Sequence, residues 1–189
     1  MSEEGEDPPQ VERIESALDA TLETAAGRRA PAGLACAVRH AVQPGGARIR
    51  PRLCLAVAAA CGEDAPEVSD AAATAIELIH CASLVHDDLP CFDAAAVRRG
   101  RPTVHCEYGE RLAVLCGDAL IVLAFQALTR RARTHPDRLA GLLEIVGDAA
   151  GMPGGLAAGQ AWECEGDAAV ALGDYQHAKT GALFSAATM

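Results

Sequence analysis

The stretch ELIHCASLVHDDLPCFD, residues 77–93, decides how the chain is read. Ile76, His80, Ser83 and Asp87 are spaced four, three and four residues apart, so they line one face of a helix expected over 69–89. Their neighbours Cys81, Leu84 and Val85 leave little room for a broad wet face, and the polar stripe is therefore read as facing an interior. On an unbroken helix Asp93 would lie about 240° around from Asp87, too far to share a ligand. Pro90 ends or bends the helix near Leu89, and the loop that follows can return Asp93 toward Asp87. Carboxylates held this close repel, and an oxygen-preferring divalent cation, Mg²⁺ above all, is the usual neutraliser. Directly after them come Arg98 and Arg99, whose forked guanidinium groups suit phosphate oxygens. Acids followed at once by bases point to a metal-bridged diphosphate site.

Working outward, 189 residues with 50% hydrophobic content suffice for one packed domain, expected over 10–189 behind a flexible acidic tail over 1–9. With 16 Lys+Arg against 26 Asp+Glu the formal charge is -10, which argues against general attraction to nucleic acid or an anionic membrane. Phosphate recognition must then be local. Arg48, Arg50 and Arg52 form one basic cluster, and Arg98, Arg99 and Arg101 form another. Ala and Leu dominate and no bounded run of alternating β-branched residues occurs, so the chain reads as all-α. Helices are expected near 10–27, 31–43, 47–61, 69–89, 109–132, 136–150, 153–164 and 174–189. The eight cysteines make no CxxC pair and fall mostly within apolar helical patterns, as reduced thiols of a cytoplasmic protein do. The start MSEEGEDPPQ is acidic, unlike a secretory signal. The longest apolar run, Ala113 to Leu128, carries Asp118 and falls short of a bilayer span, so it is read as a core helix and no transmembrane segment is expected.

Five segments in order resemble the trans-isoprenyl diphosphate synthases, most closely the bacterial geranylgeranyl and farnesyl diphosphate synthases. GGARIRP at 45–51 is similar to the family's GGKRxRP, and residues 77–93 to its first aspartate-rich motif. RRGRPTVH at 98–105, GMPGGLAAGQAWECEG at 151–166 and AKTGAL at 178–183 follow as in the family. The resemblance implies a helical bundle of the isoprenoid-synthase type around a central cavity, and a homodimer or a partner chain that supplies missing helices. It implies Mg²⁺ held by Asp87 and Asp93 with Asp88 in support, and Arg98 on an allylic diphosphate. Arg48, Arg50, Arg99 and His80 would bind isopentenyl diphosphate, Lys179 and Thr180 would approach the allylic diphosphate from the opposite wall, and Gln160 would lie near the reacting chain. Asp87, Asp88, Asp93 and Lys179 are the catalytic candidates. The implied reaction condenses the two diphosphates. Ala82 and Ser83, both small, lie where such enzymes set chain length, which implies a twenty-carbon, geranylgeranyl product.

Ala47 stands where the family has the lysine of GGKRxRP, a contact of roughly 1.5–3 kcal/mol unless Arg48 covers it. The sequence stops at Met189, ahead of the family's second aspartate-rich motif, and AAA at 94–96 replaces further acids. These departures keep open a non-catalytic or truncated synthase-like subunit that needs a partner chain. A metal-dependent phosphohydrolase is a further alternative, raised by the His86-Asp87 doublet, and would require His40, His80 or His105 to join it around one metal.

Overall fold

The computed structural model describes residues 9–43, 45–165 and 170–189. Most of the acidic tail expected over 1–9 lies outside the described residues, and helix α1 begins at Pro9. The helices are α1 (Pro9–Ala25), α2 (Ala32–Val42), α3 (Ile49–Ala60), α4 (Pro66–Asp87), α5 (Val104–Tyr108), α6 (Glu110–Arg131), α7 (Pro136–Ala150), α8 (Leu156–Glu165), α9 (Leu172–Gln176) and α10 (Ala182–Ala186). A two-residue antiparallel ladder, β1 (Val97–Arg98) with β2 (Arg101–Pro102), stands between α4 and α5.

Helix α4 is the axis of the bundle. It is apolar on most of its circumference, as a helix buried on all sides must be, and Ala71, Ala73, Ala75 and Ala82 let its neighbours approach closely. Helix α6 packs along it with Ala113, Cys116, Leu120, Ala124 and Leu128, while α3 and α1 cover the other side. Leu18, Leu55, Ile76, Leu78, Ile79, Leu120 and Leu128 are all but fully buried, each contributing about 1.5–3 kcal/mol of transfer free energy. Pro66 and Pro136 start α4 and α7 at the first helical turn, where a missing N–H costs nothing.

Two elements depart from the expected string. The C-terminal helix is not α-helical throughout: a π-helical turn, His177–Gly181, joins α9 to α10 without a break and carries Lys179 and Thr180. The segment between α4 and α6 is not loop alone, because it holds the β1–β2 hairpin and α5. In addition, α4 and the helical stretch Glu110–Thr134 are long and apolar enough, by length and composition, to span a bilayer, although the sequence reading placed the second short of that. Packing in the bundle accounts for α4, whose apolar window is 78% buried; that of Glu110–Thr134 is 44% buried.

Candidate active site

Helix α4 ends at Asp87 because Pro90 cannot continue it, and the turn after it closes back on the helix. Phe92 and Ala94 donate their N–H groups to Leu89 O, and Asp93 donates its own to Asp87 O at 2.9 Å. That bond returns Asp93 to Asp87. The three aspartates nevertheless face different partners. The Gln160 amide of α8 donates to Asp87 Oδ1 at 2.7 Å and to Ser83 O at 3.3 Å. Asp88 is buried and receives the Arg98 guanidinium through Nε, at 2.9 and 2.8 Å, and Nη2, at 2.7 Å. Asp93 is exposed. Among the described residues no three His, Cys, Asp or Glu side chains converge as a ready-made metal cage, and Asp88 is engaged by Arg98. Burial pushes the Asp87 carboxyl above its usual range, with the nearby charges of Asp93 and Glu163 adding to it against the Gln160 bond and Lys179.

Opposite this turn, Gly159 of α8 lies against the backbone of the π turn, where an added Cβ would come within 2.5 Å of Lys179 N. Lys179 Nζ is thereby set on Glu163, which also accepts from the Tyr175 hydroxyl. Burial alone would lower the Lys179 pKa, but the Glu163 contact and the charges of Asp87 and Glu163 outweigh it and raise it. Thr180 is exposed on the same turn.

The second basic group gathers above α3 and α4. His80 is pushed down to about 3 by burial first and then by the charges of Arg50, Arg99, Arg98 and Arg48, so it is neutral at pH 7. Arg50 is half-buried over the Phe184 ring of α10, 4.6 Å from its centroid, and burial lowers its pKa, with Arg99 adding to this against the charge of Glu77. The buried Arg50 Nε finds no hydrogen-bond partner among the described residues. Arg99 sits in the two-residue turn of the hairpin with φ 53, and Gly100 beside it has φ 75. Both positive values make this a type I′ geometry, unfavourable for an arginine by about 1–2 kcal/mol. The Arg99 guanidinium rests on Gly46, where a Cβ would meet its Cζ at 3.0 Å.

Arg48 corrects the sequence reading. It was expected at the substrate, covering for the lysine replaced by Ala47, yet its side chain is 1% exposed and turned inward. It donates to Glu15 at 2.7 and 3.1 Å, to Glu77 at 2.7 Å and to Val42 O at 2.9 Å. Gly45 has no side chain because the guanidinium lies on it, 2.1 Å from where a Cβ would stand. The loop therefore offers no cation at Ala47 and none from Arg48.

The polyprenyl synthetase family model matches residues 31–189. The chain belongs to this family. It is 56% identical over 177 residues to the geranylgeranyl diphosphate synthase of Cereibacter sphaeroides, covering 94% of this chain and 61% of the relative. The synthase of the same name from Rhodobacter capsulatus is 53% identical over 93% of this chain and 60% of its own length. In structure the chain is similar to a geranyltransferase from Legionella pneumophila, with TM-score 0.86 and 30% identity over 95% of this chain and 64% of that one. The chain spans about three fifths of the length of these relatives.

Within this family member, Ala82 and Ser83 are both buried, Ser83 beneath the Gln160 amide with its hydroxyl on His80 O. The phosphohydrolase alternative finds no support. The His86 imidazole turns to α6, over Gly117 and 3.9 Å from Asp118, while Asp87 turns to α8. His40 contacts Arg101 and Pro102, and His105 contacts Thr103, so no shared metal site gathers them. Four contributors lay outside the sequence reading: Glu163, Tyr175, Phe184 and the hairpin turn. Glu163 had a signal, since it follows Gln160 by three residues and shares its face; Tyr175 and Phe184 had none.

Proposed function

We propose that the protein is a prenyltransferase that joins an allylic diphosphate to isopentenyl diphosphate, with a twenty-carbon geranylgeranyl product. The observation that carries this reading is the buried Arg50 Nε, unpartnered among the described residues, with Arg99 on Gly46 and a neutral His80 that feels the charge of both. Cations packed this closely repel, and a diphosphate would relieve them through charge-assisted hydrogen bonds. About two turns further along the same face of α4, Asp87, with Asp93, Gln160 and Lys179, forms a second, mixed-charge wall suited to an allylic diphosphate.

In this reading Arg50 and Arg99 hold the isopentenyl diphosphate and His80 donates to it as a neutral imidazole. Lys179, positioned by Glu163, faces the departing diphosphate and stabilises its growing charge. Gln160 fixes the Asp87 carboxylate. The hard oxygen donors of Asp87 and Asp93 fit Mg²⁺, which commonly takes one or two carboxylates and completes its shell with substrate phosphate and water, and it would supply charge neutralisation of the leaving group. The allylic C–O bond ionises to release pyrophosphate, the isopentenyl double bond attacks the allylic cation, and the resulting cation loses a proton to that pyrophosphate. The small Ala82 and Ser83, together with the names of the two relatives, support the twenty-carbon product.

Incubation with an allylic diphosphate, isopentenyl diphosphate and Mg²⁺ tests this reading. Pyrophosphate release requiring both substrates and the metal is expected, and release from either substrate alone would overturn it. The missing cation at Ala47 favours one second reading, a subunit that acts with a partner chain. Its mark would be pyrophosphate release only after a synthase partner is added.

A further inference from the structure

Outside the two walls, Arg101 and His40 form a strap between the end of α2 and the hairpin. The Arg101 guanidinium donates through Nη1 to Gln43 O at 2.5 Å and through Nη2 to His40 Nδ1 at 2.9 Å. A guanidinium only donates, so Nδ1 is the bare nitrogen and Nε2 carries the proton. Nε2 then donates to Pro102 O at 2.8 Å. The Tyr108 ring of α5 closes edge-on against the imidazole, with ring centroids 5.3 Å apart. Strand β2 is thus gripped at both of its residues.

What the strap holds matters more than the strap itself. Arg98 pairs with Arg101 across the ladder, and the tight turn between them places Arg99 in the left-handed region. A side chain stays in that region only where its surroundings fix it. Arg101 anchors β2 on Gln43 O, and the Arg99 guanidinium rests on Gly46. We propose that His40 and Arg101 are positioning residues, which hold the β1–β2 hairpin so that Arg99 is presented to a diphosphate while Arg98 stays on Asp88, without touching the diphosphate themselves. The inference rests on reading Arg99 as an anion ligand.

Titration calorimetry with inorganic pyrophosphate and Mg²⁺ tests it, on the wild-type chain and on His40→Ala, His40→Gln and Arg101→Met. Melting temperature and hydrogen exchange over residues 97–102 are followed in parallel. Glutamine is the conservative replacement, because its carbonyl can accept from Arg101 while its amide donates to Pro102. Binding about tenfold weaker is expected for His40→Ala and Arg101→Met, with faster hairpin exchange, an unchanged melting temperature and recovery in His40→Gln. Wild-type binding and exchange in both variants, or His40→Gln no better than His40→Ala, would overturn the proposal. A wild-type chain that does not bind pyrophosphate would instead contradict the anion-ligand reading. The exchange data would then decide the strap alone, and unchanged hairpin exchange would refute it.

Discussion

Replacing Arg48 by alanine should damage the fold far more than the site. The guanidinium is almost wholly enclosed and makes four hydrogen bonds, two to Glu15, one to Glu77 and one to Val42 O. Burial by itself would lower its pKa, but the Glu15 bond and the charge of Glu77 more than offset this and hold it above its usual value. Glu15 is 33% exposed and can turn to water, whereas the Glu77 side chain is only 3% exposed and cannot. Arg48→Ala therefore strands a buried carboxylate, a loss of about 3–5 kcal/mol. For a chain of this size that is a fall in melting temperature of roughly 6–20 °C. Urea unfolding followed by far-UV circular dichroism measures the loss, and Glu77→Gln in the Arg48→Ala background should recover much of it by removing the stranded charge. Pyrophosphate affinity per folded molecule should change little. Wild-type stability in Arg48→Ala, or lost affinity in a normally stable protein, would refute the structural role and return Arg48 to the substrate.

Three other outcomes follow from the same geometry. His80, with a folded pKa of about 3 against 6.5 unfolded, takes up its proton first in the unfolded chain, so the folded state loses stability as pH falls from 6.5 toward 3, by up to about 1.4 kcal/mol per pH unit. His80→Gln should flatten that part of a stability–pH curve, and an identical curve would contradict the burial of a neutral imidazole. Native alkylation read by peptide mass spectrometry should modify Cys36, Cys61, Cys91, Cys106 and Cys164 and spare Cys54, Cys81 and Cys116, whose thiols burial pushes up to about 11, about 12 and about 12. Gly159→Ala forces a methyl group against the Lys179 backbone and should cost about 1–3 kcal/mol in denaturant unfolding, an effect absent if α8 and the π turn are further apart in solution.

The helical frame was legible because its signals are local. The polar stripe of Ile76, His80, Ser83 and Asp87 and the stop at Pro90 placed α4 to within a few residues, and Pro136 did the same for α7. The return of Asp93 to Asp87 was also legible, since a proline-ended helix leaves the chain few other courses. Side-chain choices between competing partners were not. Arg48 and Arg50 are two residues apart in one basic cluster, and only the positions of Glu15 and Glu77, 33 and 29 residues away, decide that Arg48 turns inward, while Arg50 lies over Phe184 with its Nε unpartnered among the described residues. The hairpin escaped notice because Arg99-Gly100 replaces the Asn-Gly that usually marks such a turn, and the contacts around it, to Gln43 and Gly46, are distant in sequence. The π turn packs against α8 at Gly159, a contact that no periodicity within 174–189 records.

A crystal structure of the chain with isopentenyl diphosphate bound tests the central claim most directly. The account predicts the diphosphate between Arg50 and Arg99, with an oxygen accepting from the now unpartnered Arg50 Nε, His80 in reach and Arg48 still bonded to Glu15 and Glu77. Diphosphate density elsewhere, with Arg50 Nε still unpartnered, would contradict it.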